Sequence, residues 1–300
     1  MTVITVDQMT KTYGTHHVLH NVSFTLTKGN CIALIGPNGA GKTTMLRILT
    51  GLLQPTSGTY YYARSTKDIR TVIGYLPQHP TFHEWMTGEE FLQYSARLAN
   101  VPKHHAHKRT TELLELVGIA DAKHRRIQTY SGGMKQRLGI AQAIIHQPAL
   151  LMLDEPVSAL DPIGRRDILN LLHTLKKDMT ILFSTHILSD ADEISDDIIL
   201  LHHGKVIESG SMKHLRKQYQ TTVIEINFDG EASSYVQAIS QLSTVTNVQT
   251  IRNTLHVSVT TIEDARREIM NKVVEKNWPL TQFAVNHASL EEMFMKAVNS

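Results

Sequence analysis

Cysteine is nearly absent: Cys31 is the only one in 300 residues. A disulfide framework within the chain is therefore excluded, and a reducing compartment suits it. An excess of one charge is also missing, because 30 Lys and Arg stand against 28 Asp and Glu, for a formal net charge of +2. The two signs are interspersed, so no long-range field argues for nucleic acid or for a membrane surface. Long apolar runs are absent too. The longest are short pieces such as 149–153 and 198–201, well below the ~18 residues that a membrane-spanning helix needs. The opening Met1-Thr2-Val3-Ile4-Thr5-Val6 alternates like a strand and has neither the basic start nor the apolar centre of a secretion signal. Any work at a membrane would need a partner chain. With 41% hydrophobic residues the chain can bury a sizeable core, and its length suggests two domains.

Against these absences stands one dense motif. Gly36-Pro37-Asn38-Gly39-Ala40-Gly41-Lys42-Thr43, followed by Thr44, fits the G-x-x-x-x-G-K-[ST] phosphate-binding loop in full. It has the context that such a loop requires. Cys31 to Ile35 read as a strand buried on both faces, and Met45 to Leu49 as a helix. The glycines let the backbone curl so that successive N–H groups face a phosphate, and the helix start adds its positive dipole end. Lys42 then reaches the β- and γ-phosphates, Thr43 ligates the Mg²⁺ that bridges them, and Thr44 supplies another donor.

Residues 2–30 alternate in two blocks with turns at Gly14 and Lys28-Gly29, which predicts an antiparallel layer. Tyr13, in the first loop, is either a packing residue or a ring on which a base stacks. A β-rich run from Ile69 to Leu76 ends at Pro77-Gln78, and a helical insert over 79–128 follows, with helices at 88–98 and 110–117. Thr87 and Glu90 are spaced as a capping box, and Gly118 ends the second helix. His104, His105 and His107 lie between the helices without a Cys or acidic ligand set and read as a solvated helix face. Ser131-Gly132-Gly133 is, on the residues alone, either a helix cap with a turn or a site; the apolar stripe Leu138, Ala141, Ile144 and Ile145 carries the helix on to Gln147.

The run Leu150 to Leu153 ends in Asp154-Glu155. A buried strand ends in adjacent carboxylates only where its tip faces solvent, a metal or a site. In open α/β sheets ligands bind beyond the carboxyl ends of strands. Asp154 is thus placed to hold Mg²⁺, and Glu155 to orient and deprotonate the attacking water. A second apolar strand, 180–183, leads to His186 on the same sheet edge, and 198–207 reads as a closing hairpin. The first domain is expected to span 1–217. Residues 218–300 read as strand, helix, two strands, helix and strand, a small ferredoxin-like domain. They end in an amphipathic helix whose Ser289 and Glu292 are spaced as a capping box. No catalytic cluster is visible there, and dimer contact or regulation is expected of it.

Placed in this order, residues 2 to about 217 resemble the ATPase subunit of an ATP-binding cassette (ABC) transporter. The resemblance rests on the phosphate loop, Gln78, Ser131-Gly132-Gly133, the 150–155 strand, Ser158-Ala159-Leu160-Asp161 and His186. It implies an α/β fold: a mostly parallel core sheet with an antiparallel β layer and a helical insert. It also implies ATP and Mg²⁺ as ligands. Tyr13 would stack on adenine, Gln78 would link Mg²⁺ to the transport partner, and His186 would contact the γ-phosphate. Lys42, Glu155 and His186 would carry hydrolysis. Two cassettes, expected as a homodimer, would close head to tail, with Ser131, Gly132 and Gly133 of one on the ATP of the other and Asp161 crossing between them. Tyr130 and Met134 depart from the family's usual Leu and Gln. The C-terminal domain is similar to those of bacterial drug, antibiotic or polysaccharide exporters. The implied protein is a peripheral subunit at the cytoplasmic face of the membrane, energising export through a separate permease and not binding nucleic acid. The alternatives are an importer subunit and a soluble cassette ATPase acting on the ribosome or DNA.

Overall fold

The computed structural model describes residues 1–63, 68–158, 160–219, 222–285 and 290–299. Among these it forms two compact units, Met1–Met212 together with the residues from Phe294, and Lys213–Met293. The division falls just before the expected Lys217, within a helix, and the last residues group with the first unit; Phe294 sets its ring edge-on to His202.

In the first unit β1 (Thr2–Tyr13) and β2 (His16–Thr27) form a hairpin turned by Gly14, whose φ is 57°. After β3 (Cys31–Ile35) and α1 (Lys42–Leu49) the chain adds β4 (Ser57–Tyr62), giving an antiparallel layer ordered β2-β1-β4. The inward residues Ile4, Val6, Met9, Val22, Phe24 and Leu26 share one core with Met45, Leu46, Ile48 and Leu49 of α1 and with Leu34, Met152 and Leu182 of the next sheet. Alternation at period two in the layer and an apolar stripe on the helix produce this packing.

The next sheet is ordered β5-β6-β7-β3-β8-β9, from β5 (Ile73–Leu76), β6 (Leu150–Leu153), β7 (Thr180–Thr185), β8 (Asp197–His202) and β9 (Lys205–Ser211). All neighbours are parallel except β8 and β9. Registers Leu76↔Leu153, Leu153↔Phe183 and Ile35↔Thr185 bring the carboxyl ends of four strands to one edge. The run at 69–76 is only partly strand. Residues Ile69–Thr71 make a 3₁₀ turn because the Asp68 carboxylate accepts from the Arg70 N–H at 3.0 Å.

The insert holds α2 (Gly88–Leu98) and α3 (Lys103–Leu116). The capping box forms as expected: Thr87 N–H donates to Glu90 Oε2 at 2.9 Å and Glu90 N–H to Thr87 Oγ1 at 3.2 Å. α3 starts seven residues before the expected Thr110 and takes in the exposed His104, His105 and His107. Gly118, with φ 69°, ends it, as the N–H groups of Gly118 and Ile119 close on Glu115 and Leu114. Then come α4 (Gly132–Ala143), α5 (Pro162–Leu175) and α6 (Leu188–Ile194). α4 stops at Ala143, short of Gln147, whose own φ of 55° marks the turn out of it.

α7 (Met212–Gln218) leads to the second unit, where β10 (Val223–Phe228), α8 (Ser233–Ser240), β11 (Val245–Ile251), β12 (Thr254–Val259), α9 (Ile262–Glu275) and β13 (Leu280–Val285) follow in turn. The sheet is antiparallel and ordered β11-β12-β10-β13, the ferredoxin-like arrangement. Ile224, Ile226, Leu255 and Val257 on one face pack with Ile239 of α8 and with Ala265 and Ile269 of α9. α10 (Leu290–Asn299) closes the chain; its expected cap, Ser289, lies outside the described residues. No helix among the described residues is long and apolar enough to cross a membrane.

Candidate active site

The phosphate loop leaves β3 at a point with no room for a side chain: a Cβ on Gly36 would lie 2.2 Å from the Leu201 carbonyl oxygen on β8. It enters α1 through Gly41 at φ 104°, a left-handed conformation that costs a residue with a Cβ about 1–2 kcal/mol. Pro37, Asn38 and Gly39 are exposed, Ala40 is buried, and Thr43 and Thr44 are half-buried. The first N–H groups of α1 have no carbonyl a turn behind them and point out of the helix start. Lys42 is 5% exposed. Its Nζ donates to the Gly36 and Pro37 carbonyls at 2.7 and 3.2 Å and lies 3.4 Å from Glu155 Oε1.

β6 delivers the two carboxylates. Asp154 N–H donates to the Leu76 carbonyl at 2.9 Å, which ties it to β5. Its side chain is 1% exposed: Ser184 Oγ donates to Oδ1 at 2.7 Å, while Oδ2 has no partner among the described residues. The backbone of Glu155 turns left-handed, with φ 47°. Its N–H donates to the same Ser184 oxygen at 2.8 Å. The Glu155 carboxylate gathers three side chains, Lys42 and His186 Nδ1 on Oε1, the latter at 3.3 Å, and Gln78 Nε2 donating to Oε2 at 3.2 Å.

Lys42, Gln78, Asp154, Glu155 and His186 therefore meet at one sheet edge. A bare, buried carboxylate oxygen is costly unless a cation or donor meets it. A carboxylate oxygen of this kind is a hard ligand whose chemistry suits a cation such as Mg²⁺. Sequence reasoning passed over Ser184 as a site residue, although it couples the two carboxylates. Its signal was a hydroxyl straight after the apolar run Ile181 to Phe183, in a strand whose six residues are all buried.

Another group lies apart. Ser131 caps α4 by accepting from the Met134 N–H at 3.2 Å, and Ser131 and Gly132 are exposed. Together with Gly133, Leu160 and Asp161 they line an open cavity of about 610 Å³. Asp161 caps α5 by accepting from the Gly164 N–H at 3.1 Å. Among the described residues no hydrogen bond or ion pair joins Ser131, Gly132 or Gly133 to Lys42 or Glu155; α4 reaches the site loop through Gln136, whose Nε2 donates to the Pro156 carbonyl at 2.7 Å. Tyr13, at the end of β1, is 49% exposed, with Lys11 Nζ 4.9 Å from its ring centre. It is not a core residue. Ala159 lies outside the described residues.

Comparison with known proteins gives a family. A family model described as ABC transporter matches residues 19–158, and one described as the C-terminal domain of DrrA1-3-like ATP-binding proteins matches residues 210–298. The chain is 40% identical to the uncharacterized ABC transporter ATP-binding protein YxlF of Bacillus subtilis, over 99% of this chain and 100% of that one. It is 32% identical to the daunorubicin resistance ATP-binding protein DrrA3 of Streptomyces coeruleorubidus, over 98% and 95% of the two chains. A solved ATP-binding subunit of an ABC transporter superposes with a TM-score of 0.65 at 30% identity, covering 72% of this chain and 93% of that one. A phosphate loop and a paired-carboxylate strand tip on a cassette fold, with these relatives along the whole chain, place it in the ABC transporter ATP-binding protein family, whose cassettes bind and hydrolyse ATP.

Proposed function

We propose that the chain hydrolyses MgATP at the Lys42–Glu155 edge and that two copies, closing on each other, energise export through a separate transmembrane permease from the cytoplasmic face. The observation that carries the hydrolytic part is the convergence of Lys42, Gln78 and His186 on Glu155, beside the unpartnered Asp154 Oδ2. The triphosphate lies along Gly36 to Thr44 with its charge on the loop N–H groups, and Tyr13 stacks on the adenine. Lys42 exchanges Glu155 for the β- and γ-phosphates, which leaves the carboxylate free to take a proton from water. Thr43, Asp154 and Gln78 would hold Mg²⁺, which would supply positive charge to the phosphate oxygens. His186 turns from Glu155 to the γ-phosphate.

Ser131 and Gly132 are exposed and, with Gly133 and Asp161, line one open cavity, which suits closure on a second copy's nucleotide. The γ-phosphate gives the closed dimer a contact that ADP lacks, so ATP biases closure and hydrolysis releases it. Residues 1–217 form the cassette in this reading, and 218–300 an accessory, regulatory domain. The likeness to a daunorubicin resistance protein supports export.

Glu155→Gln tests the chemistry. It keeps the size of the side chain and removes the base, so ATP still binds and kcat falls about 100-fold or more. Unchanged turnover would remove Glu155 from the mechanism. Purification of the tagged full-length chain from its own cells tests the partner: a polytopic membrane protein in stoichiometric amount is expected, whereas ribosomal proteins in its place would overturn the transport reading.

A further inference from the structure

Asp190 puts charge where charge is costly. It lies in the first turn of α6, shortly after His186, with its side chain 1% exposed and its Oδ2 without a partner among the described residues. Burial pushes its carboxyl above the ordinary carboxylate range. Arg165 of α5 holds the other oxygen: Nε donates to Oδ1 at 2.6 Å, Nη2 contacts the same atom and also donates to Ser189 Oγ at 3.0 Å. Only the carboxylate is buried, the Arg165 side chain being 31% exposed, so the pair adds little net stability: the cost of desolvating Asp190 offsets much of the attraction. What it does is fix geometry.

Two turns are fixed by it. On one side Arg165 N–H donates to the Asp161 carbonyl at 2.9 Å, so the guanidinium is carried by the turn that starts α5. On the other, Asp190 N–H donates to the Ile187 carbonyl at 3.3 Å and Ile187 N–H to Thr185 Oγ1 at 2.9 Å, which shapes the turn bearing His186. His186 in turn faces Glu155 at 3.3 Å.

We propose that Arg165 and Asp190 are positioning residues for hydrolysis, their ion pair locking the His186 turn to the Asp161 turn so that the imidazole is held where it can pass from Glu155 to the γ-phosphate. This rests on the role given above to His186. Neither side chain touches the reacting atoms; both act through His186. A displaced imidazole lowers the rate of the chemical step and leaves the phosphate loop, and so ATP affinity, as it was.

The test is steady-state ATP hydrolysis by the full-length chain, with kcat and KM measured separately for Arg165→Ala, Arg165→Lys, the double variant Arg165→Met/Asp190→Leu, His186→Ala, and the double variant combined with His186→Ala. Arg165→Ala and the double variant are expected to lower kcat about 10-fold with KM for ATP within about twofold. Arg165→Lys recovers at least half of the lost rate. The apolar pair removes both charges at similar volume, so it stays folded, as its melting curve will show, even where Arg165→Ala does not. In the His186→Ala background the double variant costs nothing more. Wild-type kcat in the folded double variant, or an equal loss with and without His186, overturns the proposal while leaving the hydrolytic site standing. Unchanged turnover in His186→Ala alone removes the residue through which the pair acts, and overturns both.

Discussion

Replacing Ser184 by alanine removes one oxygen and breaks two buried hydrogen bonds. Ser184 is 0% exposed; its Oγ donates to Asp154 Oδ1 at 2.7 Å and accepts from the Glu155 N–H at 2.8 Å. Each buried polar group left without a partner costs about 1–3 kcal/mol, more when charged. Asp154 Oδ2 is already bare, so the variant leaves the whole carboxylate without a donor. Two orphaned groups sum to roughly 3 kcal/mol, which in a unit of this size lowers the melting temperature by about 6–12 °C. Glu155 also loses the bond that pins its left-handed backbone, and a shift of about 1 Å there costs on the order of 100-fold in kcat. Saturating MgATP should narrow the stability gap, since the cation gives Asp154 a partner. Thermal melts with and without MgATP, together with steady-state hydrolysis, measure all three effects. A melting temperature within about 1 °C of wild type and kcat within twofold would refute the reasoning, because Ser184 would then not be holding the carboxylates.

Gly36→Ala places a methyl 2.2 Å from the Leu201 carbonyl; as backbone must move, nucleotide affinity measured by fluorescence titration should fall at least about 10-fold. His146 Nε2 donates to the Ile73 carbonyl at 2.9 Å, and burial holds its pKa below the ordinary 6.5. The unfolded chain then binds the proton first, so the stability that neutral His146 contributes is present above pH 6.5 and is lost as pH falls below it. Melting curves from pH 7.5 to 5.5 should show a shallower acid loss for His146→Gln than for wild type. Burial, with the charge of Asp196 second, pushes the Cys31 thiol up to about 12; iodoacetamide at pH 8 should leave the folded protein unmodified by mass spectrometry and alkylate it fully in denaturant.

The local signals that could be read from sequence were those in which a short stretch states its own conformation. The phosphate loop with its strand and helix, the Thr87–Glu90 box, the strand ending in Asp154-Glu155 and the strand and helix order of the second unit are of this kind. The misreadings occurred where local chemistry and pattern disagree. Ile69 and Thr71 are β-branched and favour a strand, yet the Asp68 side chain captures the Arg70 N–H and winds the segment into a turn. The first turns of α3 carry almost no apolar periodicity, because only Ala106 among Lys103 to Lys108 is buried, so the pattern begins where Thr110 does. β4 (Ser57–Tyr62) was not anticipated; as an edge strand with a half-exposed face it offers little periodic contrast. The partnership of Ser184 with the two carboxylates joins residues about thirty positions apart, and no pattern along one chain displays it.

Glu155 occupies a backbone conformation that glycine or asparagine adopts with little penalty and glutamate does not. On the role proposed for Glu155, the position that takes the proton is also one that selection for folding alone would not fill with glutamate. Relieved of the demand for turnover, a descendant of this chain would gain stability by giving that residue up. With Glu155 as the proposed base, loss of hydrolysis in such a lineage would be thermodynamically downhill.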